Sequence, residues 1–272
     1  EETIISTDEA IYGMTFVGSP FIFSFRLLGT DCGASGLNTM INIDGDVYWM
    51  GRRNLFSYNG VVKELVCPVQ YYVFDRMQTN YIDKVVVGHN KKFKEITWFY
   101  VSNDNSAGTI NPEPDSYVTY NYVENAWSIG TMDRTVWSDS FGARDVPFAF
   151  DPDGLLYNHE TGTSDNGSAM SSYIESSPRE ITQNGENLFM VDRVIPDVTM
   201  TSDTNLYFNL NSRKYPNATE VVKGPFTITS STQKVSTRAK GRQIAMKIYS
   251  TGTTDEWSIG DFRINAREDG LR

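Results

Sequence analysis

Apolar residues along this chain recur with a period of two, or run unbroken over four to seven positions; the 3.6-residue period of an amphipathic helix is rare. Ile11–Val17 and Phe21–Phe25 read as two strands separated by Gly18-Ser19-Pro20, since proline cannot donate to a central ladder. Met40–Ile43 and Val47–Met50 flank Asp44-Gly45-Asp46, and Leu55–Tyr58 and Val61–Val66 flank Asn59-Gly60. Both pairs carry the hairpin signal of a turn dipeptide between apolar runs. Ile96–Val101, Tyr117–Tyr122 and Ala126–Ile129 continue the series, and Phe148–Phe150 and Leu155–Tyr157 enclose the turn Asp151-Pro152-Asp153-Gly154. A single helix is predicted before residue 180, over Cys67–Gln78, with Pro68 at its first position.

From about residue 168 the strand candidates lengthen and alternate more regularly: Ala169–Glu175, Leu188–Met200, Leu206–Leu210, Phe226–Thr229, Lys234–Arg238, Gln243–Tyr249 and Trp257–Ile264. Strands of this length between Gly, Pro, Asn and Ser turns fit a sandwich of about 100 residues. The small polar stretch Thr161–Ser168, with Ser164–Ser168 read as a linker, places the boundary, giving domains 1–165 and 166–272. The first domain carries an internal echo, in which an aromatic strand and a turn precede a strand ending in Tyr plus Asn. It is seen at Val47-Tyr48-Trp49 with Phe56–Asn59, at Ile96–Tyr100 with Val118–Tyr122, and at Phe148–Phe150 with Leu155–His159. The repeat interval is roughly 50 residues, in the range of kelch-type propeller blades. Three units are too few to close a propeller: either further blades lie upstream of Glu1, where the chain opens without Met, or these strands complete a different barrel. The expected fold is all-β: partial β-propeller-like blades over 1–165, then a C-terminal β-sandwich over 166–272.

Composition narrows the chemistry. With 39% hydrophobic residues the 272-residue chain can build a core, and no apolar run is long enough for a membrane helix. Two cysteines, Cys32 and Cys67, make no disulfide framework and are expected reduced. A net charge of −10 argues against holding a phosphate backbone, which requires Lys and Arg to release counterions. Neither His89 nor His159 lies at a ligand-like spacing from a cysteine, and both read as turn or surface residues. Asp31, Asp44, Asp46, Asp133, Asp139 and Asp153 fall in turns, where Asp is favoured for its own hydrogen bonding. Lys234, Arg238, Lys240 and Arg242 form a basic cluster read as a solvated or interface strand. Tyr120, Tyr122, Trp127 and Trp137 read as core between blades rather than a sugar platform. No catalytic, cofactor-binding or metal-binding residue is assigned, and the chain is expected not to be an enzyme.

Several phrases, in order, carry a family resemblance: Asp31-Cys32-Gly33, Ile43–Arg52, Leu55–Gly60, Val87–Asn90, Glu95–Tyr100, Tyr120–Gly130, Arg238–Ala245 and Trp257–Arg263. Together they resemble the tail hub or nozzle (packaged-DNA stabilisation) proteins of short-tailed bacteriophages. The resemblance implies a structural virion protein of the phage tail, assembled in the host cytoplasm as a homohexameric ring. Such a ring lies below portal and adaptor proteins, with tail needle, tailspike or fibre proteins alongside. It extends the DNA channel, retains the packaged genome and conducts DNA during ejection without sequence-specific binding. Six chains at −10 would carry about −60 in total, so an acidic lumen that repels its cargo is expected. The alternative is a carbohydrate-binding or carbohydrate-cleaving β-propeller acting on a host surface, which needs two carboxylates about 5–10 Å apart.

Overall fold

The computed structural model describes residues 2–104, 112–181 and 187–270. The fold is all-β, built of several small antiparallel sheets, and no sheet among the described residues closes into a barrel. No helix among them is long and apolar enough to cross a membrane. The chain divides into two compact units, Glu1–Thr161 and Gly162–Arg272.

The first unit is a stack of sheets. β1 (Glu2–Ser6), β2 (Ala10–Phe16) and β3 (Phe23–Thr30) form a three-stranded sheet in that order. A four-stranded meander follows: β4 (Met40–Ile43), β5 (Asp46–Met50), β6 (Leu55–Tyr58) and β7 (Val62–Glu64). Helix α1 (Gln70–Arg76) and a 3₁₀ turn (Thr79–Lys84) lead to a second meander: β8 (Val86–Asn90), β9 (Glu95–Tyr100), β10 (Ser116–Asn121) and β11 (Ala126–Thr131). The last sheet is β12 (Val136–Ser138), β13 (Phe148–Phe150) and β14 (Leu156–Asn158). The helix is shorter than the sequence signal. It is capped by Val69, so Pro68 stands before it rather than at its first position.

The pleat explains the stacking. On β5, Val47 and Trp49 point to one face and Tyr48 and Met50 to the other. Trp49, Val47, Phe56 and Tyr58 pack with Ile11 and Cys32 under the first sheet. Met50, Ile43 and Leu55 instead join Ile96, Trp98, Tyr100, Val118 and Tyr120 of the second meander, with Val73 of α1 and Cys67 between them. Each layer carries a buried indole that is satisfied by backbone: Trp49 Nε1 donates to the Cys32 carbonyl at 2.7 Å, and Trp98 Nε1 to the Thr39 carbonyl at 2.9 Å. Cys32 and Cys67 are both buried free thiols. Burial raises the Cys67 pKa to about 11.

The second unit begins with the hairpin β15 (Ser164–Asp165) and β16 (Ser168–Ala169), where the sequence suggested a linker. Asn166 and Gly167 both have positive φ, 47° and 85°, as a tight two-residue hairpin turn requires. Then come β17 (Ser172–Glu175), β18 (Arg179–Glu180), β19 (Phe189–Ile195), β20 (Val198–Met200), β21 (Leu206–Arg213), β22 (Val221–Ile228), β23 (Val235–Gly241), β24 (Gln243–Ser250), β25 (Trp257–Ile259) and β26 (Arg263–Glu268). One sheet runs β17-β24-β21-β22 and another β23-β19-β26. Phe189, Val191 and Val194 of β19 meet Leu206, Phe208 and Leu210 of β21 in a common core. That is sandwich packing, with alternate residues turned inward. The single long strands expected at Leu188–Met200 and Trp257–Ile264 are each two, and the breaks place β20 and β25 together as a separate ribbon.

Trp98→Phe removes a buried donor and leaves a void. It should cost about 2–4 kcal/mol in urea unfolding with an unchanged m-value. At about pH 8 the folded chain should react with Ellman's reagent far more slowly than the urea-unfolded chain, which should release two thiols.

Candidate functional site: the polar layer beyond the second meander

The second meander has two unlike faces. Ile96, Trp98 and Tyr100 turn into the apolar core. Their neighbours Glu95, Thr97 and Phe99 turn the other way, and register places them beside Asn90, Gly88, Asn121, Thr119 and Tyr117. Across this second face Thr97 and Thr119 share a hydroxyl–hydroxyl bond of 2.8 Å. The aromatic lid is Trp137 of β12. Its ring stacks on Phe99 with centroids 5.8 Å apart, and its Nε1 donates to the His89 carbonyl at 2.9 Å. A side chain at Gly88 would meet the indole at 2.5 Å, so this position must be glycine for Trp137 to lie down.

Three groups of polar side chains lie near this layer, the first of them on the core face of β8. His89 stands between Asp139 and Tyr122: its Nδ1 is 3.4 Å from Asp139 Oδ2 and its Nε2 is 3.3 Å from the Tyr122 hydroxyl. Asp139 is also engaged by backbone, accepting from Lys91 N at 3.1 Å and Ser140 N at 2.7 Å. Burial lowers the His89 pKa and the Asp139 charge opposes it. His159 is held apart from His89, with its ring 4.6 Å from Trp137 and its Nε2 accepting from Arg134 Nε at 3.0 Å. Arg134 is itself buried over the ring of Tyr157, 4.6 Å from its centroid.

The third group is an acid pair. Glu160 adopts a left-handed backbone (φ 60°), which costs a glutamate on the order of 1 kcal/mol, and it accepts from Asn90 Nδ2 at 2.9 Å. Asn90 is the cross-strand partner of Glu95, so the two carboxylates flank one buried amide. Desolvation raises the Glu95 pKa and the charge of Glu160 adds to it. Desolvation also raises Glu160, while Lys92 and the Asn90 bond pull it back. The Tyr117 hydroxyl is pushed up by burial and by both acids. The shared direction has a shared cause, since both carboxyls are held partly away from water around the Asn90 amide.

The sequence candidates are dispersed. The two histidines lie on opposite faces of the second meander and do not converge, and no three His, Cys, Asp or Glu among the described residues form a metal-holding group. Asp31 and Asp44 sit in left-handed turn positions, and Asp151 caps its own turn by accepting from Leu155 N at 2.8 Å. Tyr120 lies in the core with Tyr122 and Trp127 packed against it, whereas Trp137 covers the opposite face. In the second unit Lys240 pairs with Asp269 at 2.7 Å and Arg242 lies over the Tyr215 ring. Glu95 and Glu160 went unsingled in sequence because they are distant in the chain. The Asn90↔Glu95 register that brings Glu95 to this amide is set by strand pairing, and Glu160 reaches it only through the stacked sheet.

No protein-family model matches the chain, and no curated protein matches it. Among solved structures, one described as a glycoside hydrolase aligns over 97% of this chain and 81% of its own, at 11% identity and a TM-score of 0.27. A likeness at that level carries no argument about fold or function.

Both acids bind protons more tightly folded than unfolded, so their ionisation opposes folding once the pH rises through the raised folded value. That opposition is absent below the ordinary carboxylate range. Glu95→Gln should therefore raise the melting temperature near pH 7 and do nothing near pH 4. Equal gains at both would contradict the raised values.

Proposed function

We propose that this chain is a non-catalytic structural subunit of a phage-tail ring, the hub or nozzle through which DNA passes. The observation that carries the reading is an exposed apolar hairpin, β2–β3, in the first unit. Phe16, Val17, Phe21, Ile22, Phe23, Phe25 and Leu27 are each between 49% and 75% exposed. A soluble monomer rarely leaves so much contiguous apolar surface in water, whereas a subunit of a permanent assembly covers it. The ordered phrases from Asp31 to Arg263 support the family in which such a subunit would serve. The net charge of −10 supports a conduit that duplex DNA traverses without sticking. Portal and adaptor proteins are the proposed neighbours, and six copies the proposed ring.

The acid pair favours a second reading, carbohydrate cleavage at a host surface, because glycoside hydrolysis uses two neighbouring carboxyl groups, one of which acts as an acid with a raised pKa.

Sedimentation of the chain alone and with portal and adaptor separates the two. The structural reading expects a ring-sized species and no retention of duplex DNA even at low ionic strength. A stable monomer that releases reducing sugar, and loses that activity in Glu95→Gln, would replace it with the second.

A further inference from the structure

The first unit is a stack of four sheets, and the stack has two ends. Its inner faces are closed: the first sheet against the first meander, that meander against the second, and the second against β12–β14. Among the described residues of this unit no further sheet covers the outer face at either end, and both faces carry exposed apolar side chains.

At one end, register places Tyr12 beside Leu27, Met14 beside Phe25 and Phe16 beside Phe23 on the same face of the β1–β3 sheet. The charged groups of these strands lie on the opposite face, where Arg26 pairs with Glu2 at 3.0 Å. The exposed fractions of Phe16, Phe23, Phe25 and Leu27 leave on the order of 500 Å² of apolar surface on this face, and Val17, Phe21 and Ile22 of the connecting turn are exposed beside it. With the turn, that approaches the ~800 Å² one partner contributes to a standard stable interface. At the other end, Val136, Phe150 and Leu156 are in register across β12, β13 and β14, opposite the inward-facing Trp137 and Ala149. Val136 is 53% and Leu156 41% exposed, and Phe148 shares their face with Phe141 and the guanidinium of Arg144 against it.

We propose that these two faces meet between copies of this chain: the β1–β3 face of one copy docks on the β12–β14 face of the next, continuing the sheet stack across the junction. The inference rests on the ring reading above and names its contact. Two observations favour a second copy over other occupants. Chains at −10 repel, so copies can approach closely only through patches free of like charge, and both end faces present apolar side chains. The two faces also belong to opposite ends of one stack, so the contact is head to tail. A heterologous contact of this kind repeats into a closed ring, or into a filament if the rotation does not close.

The test uses two surface variants of the 272-residue chain, Phe25→Glu and Leu156→Glu, followed by sedimentation velocity across a concentration series. Circular dichroism and melting establish that each is folded, and Phe16→Ser and Val136→Ser replace either that is not. Wild type should self-associate, and each variant alone should do so about tenfold or more weakly. Mixed together they should form a one-to-one dimer and stop, because each retains the face the other has lost. A wild type that stays monomeric overturns the proposal. So does Leu156→Glu associating like wild type, which would mean the hairpin meets itself. Flotation of wild type, but not Phe25→Glu, with phosphatidylcholine vesicles would assign the hairpin to lipid instead. The outcomes also separate the two levels. Association through this junction without binding to portal or adaptor sinks the tail reading alone. A ring on the portal that tolerates both variants sinks the junction alone.

Discussion

A sheet of three or four short strands has two faces and too little area to bury either by itself. That constraint shapes the whole first unit. Because side chains alternate across the pleat, the apolar residues of β5 are divided, Val47 and Trp49 to one side and Tyr48 and Met50 to the other. Each sheet therefore needs a neighbour on both sides, and the unit grows by stacking. The two buried indoles secure successive layers, each donating to the carbonyl of a connecting segment rather than to a strand of its own sheet.

The layer beyond the second meander obeys the same constraint with different chemistry. There the contact is a single tryptophan laid over Gly88 and Phe99, surrounded by Thr97, Thr119, Asn90 and the two acids. Ionisable groups lie among the contacts between these sheets, held partly away from water, and Glu95, Glu160 and Tyr117 all keep their protons more tightly. The cluster is thus a consequence of how a short three-stranded sheet closes against a longer one. Its strained Glu160 and shared Asn90 amide mark it as the most chemically distinctive point of the unit.

Stacking cannot satisfy its own ends. The outer face of β1–β3 and the outer face of β12–β14 both remain apolar, and in the proposed ring each would be what the other covers. On that view the acidity of the chain and its apolar ends are complementary devices. The charge keeps copies and DNA apart everywhere except where the stack continues.

Much of this was legible in the chain. Period-two patterning, the Asp44-Gly45 and Asn59-Gly60 turns and the aromatic runs determine an all-β chain of hairpins, because those signals act between residues close in sequence. Less local features were not legible. The Gly88-His89-Asn90 half of β8 has no apolar residue to mark a strand and becomes one because it pairs with Glu95–Thr97. Ser164–Ala169 is short and polar, yet closes as a hairpin through Asn166-Gly167. Asn90 meeting Glu160, and Trp137 rather than another aromatic covering Gly88, depend on which sheet stacks on which. So does the exposure of Phe16, Phe23 and Phe25, which in sequence look like any core strand. The sequence by itself determined which residues turn and which extend, since backbone and neighbouring side chains decide that. Only the tertiary structure decided which apolar faces are buried and which are left open, because burial is a property of the partner across the face and not of the strand.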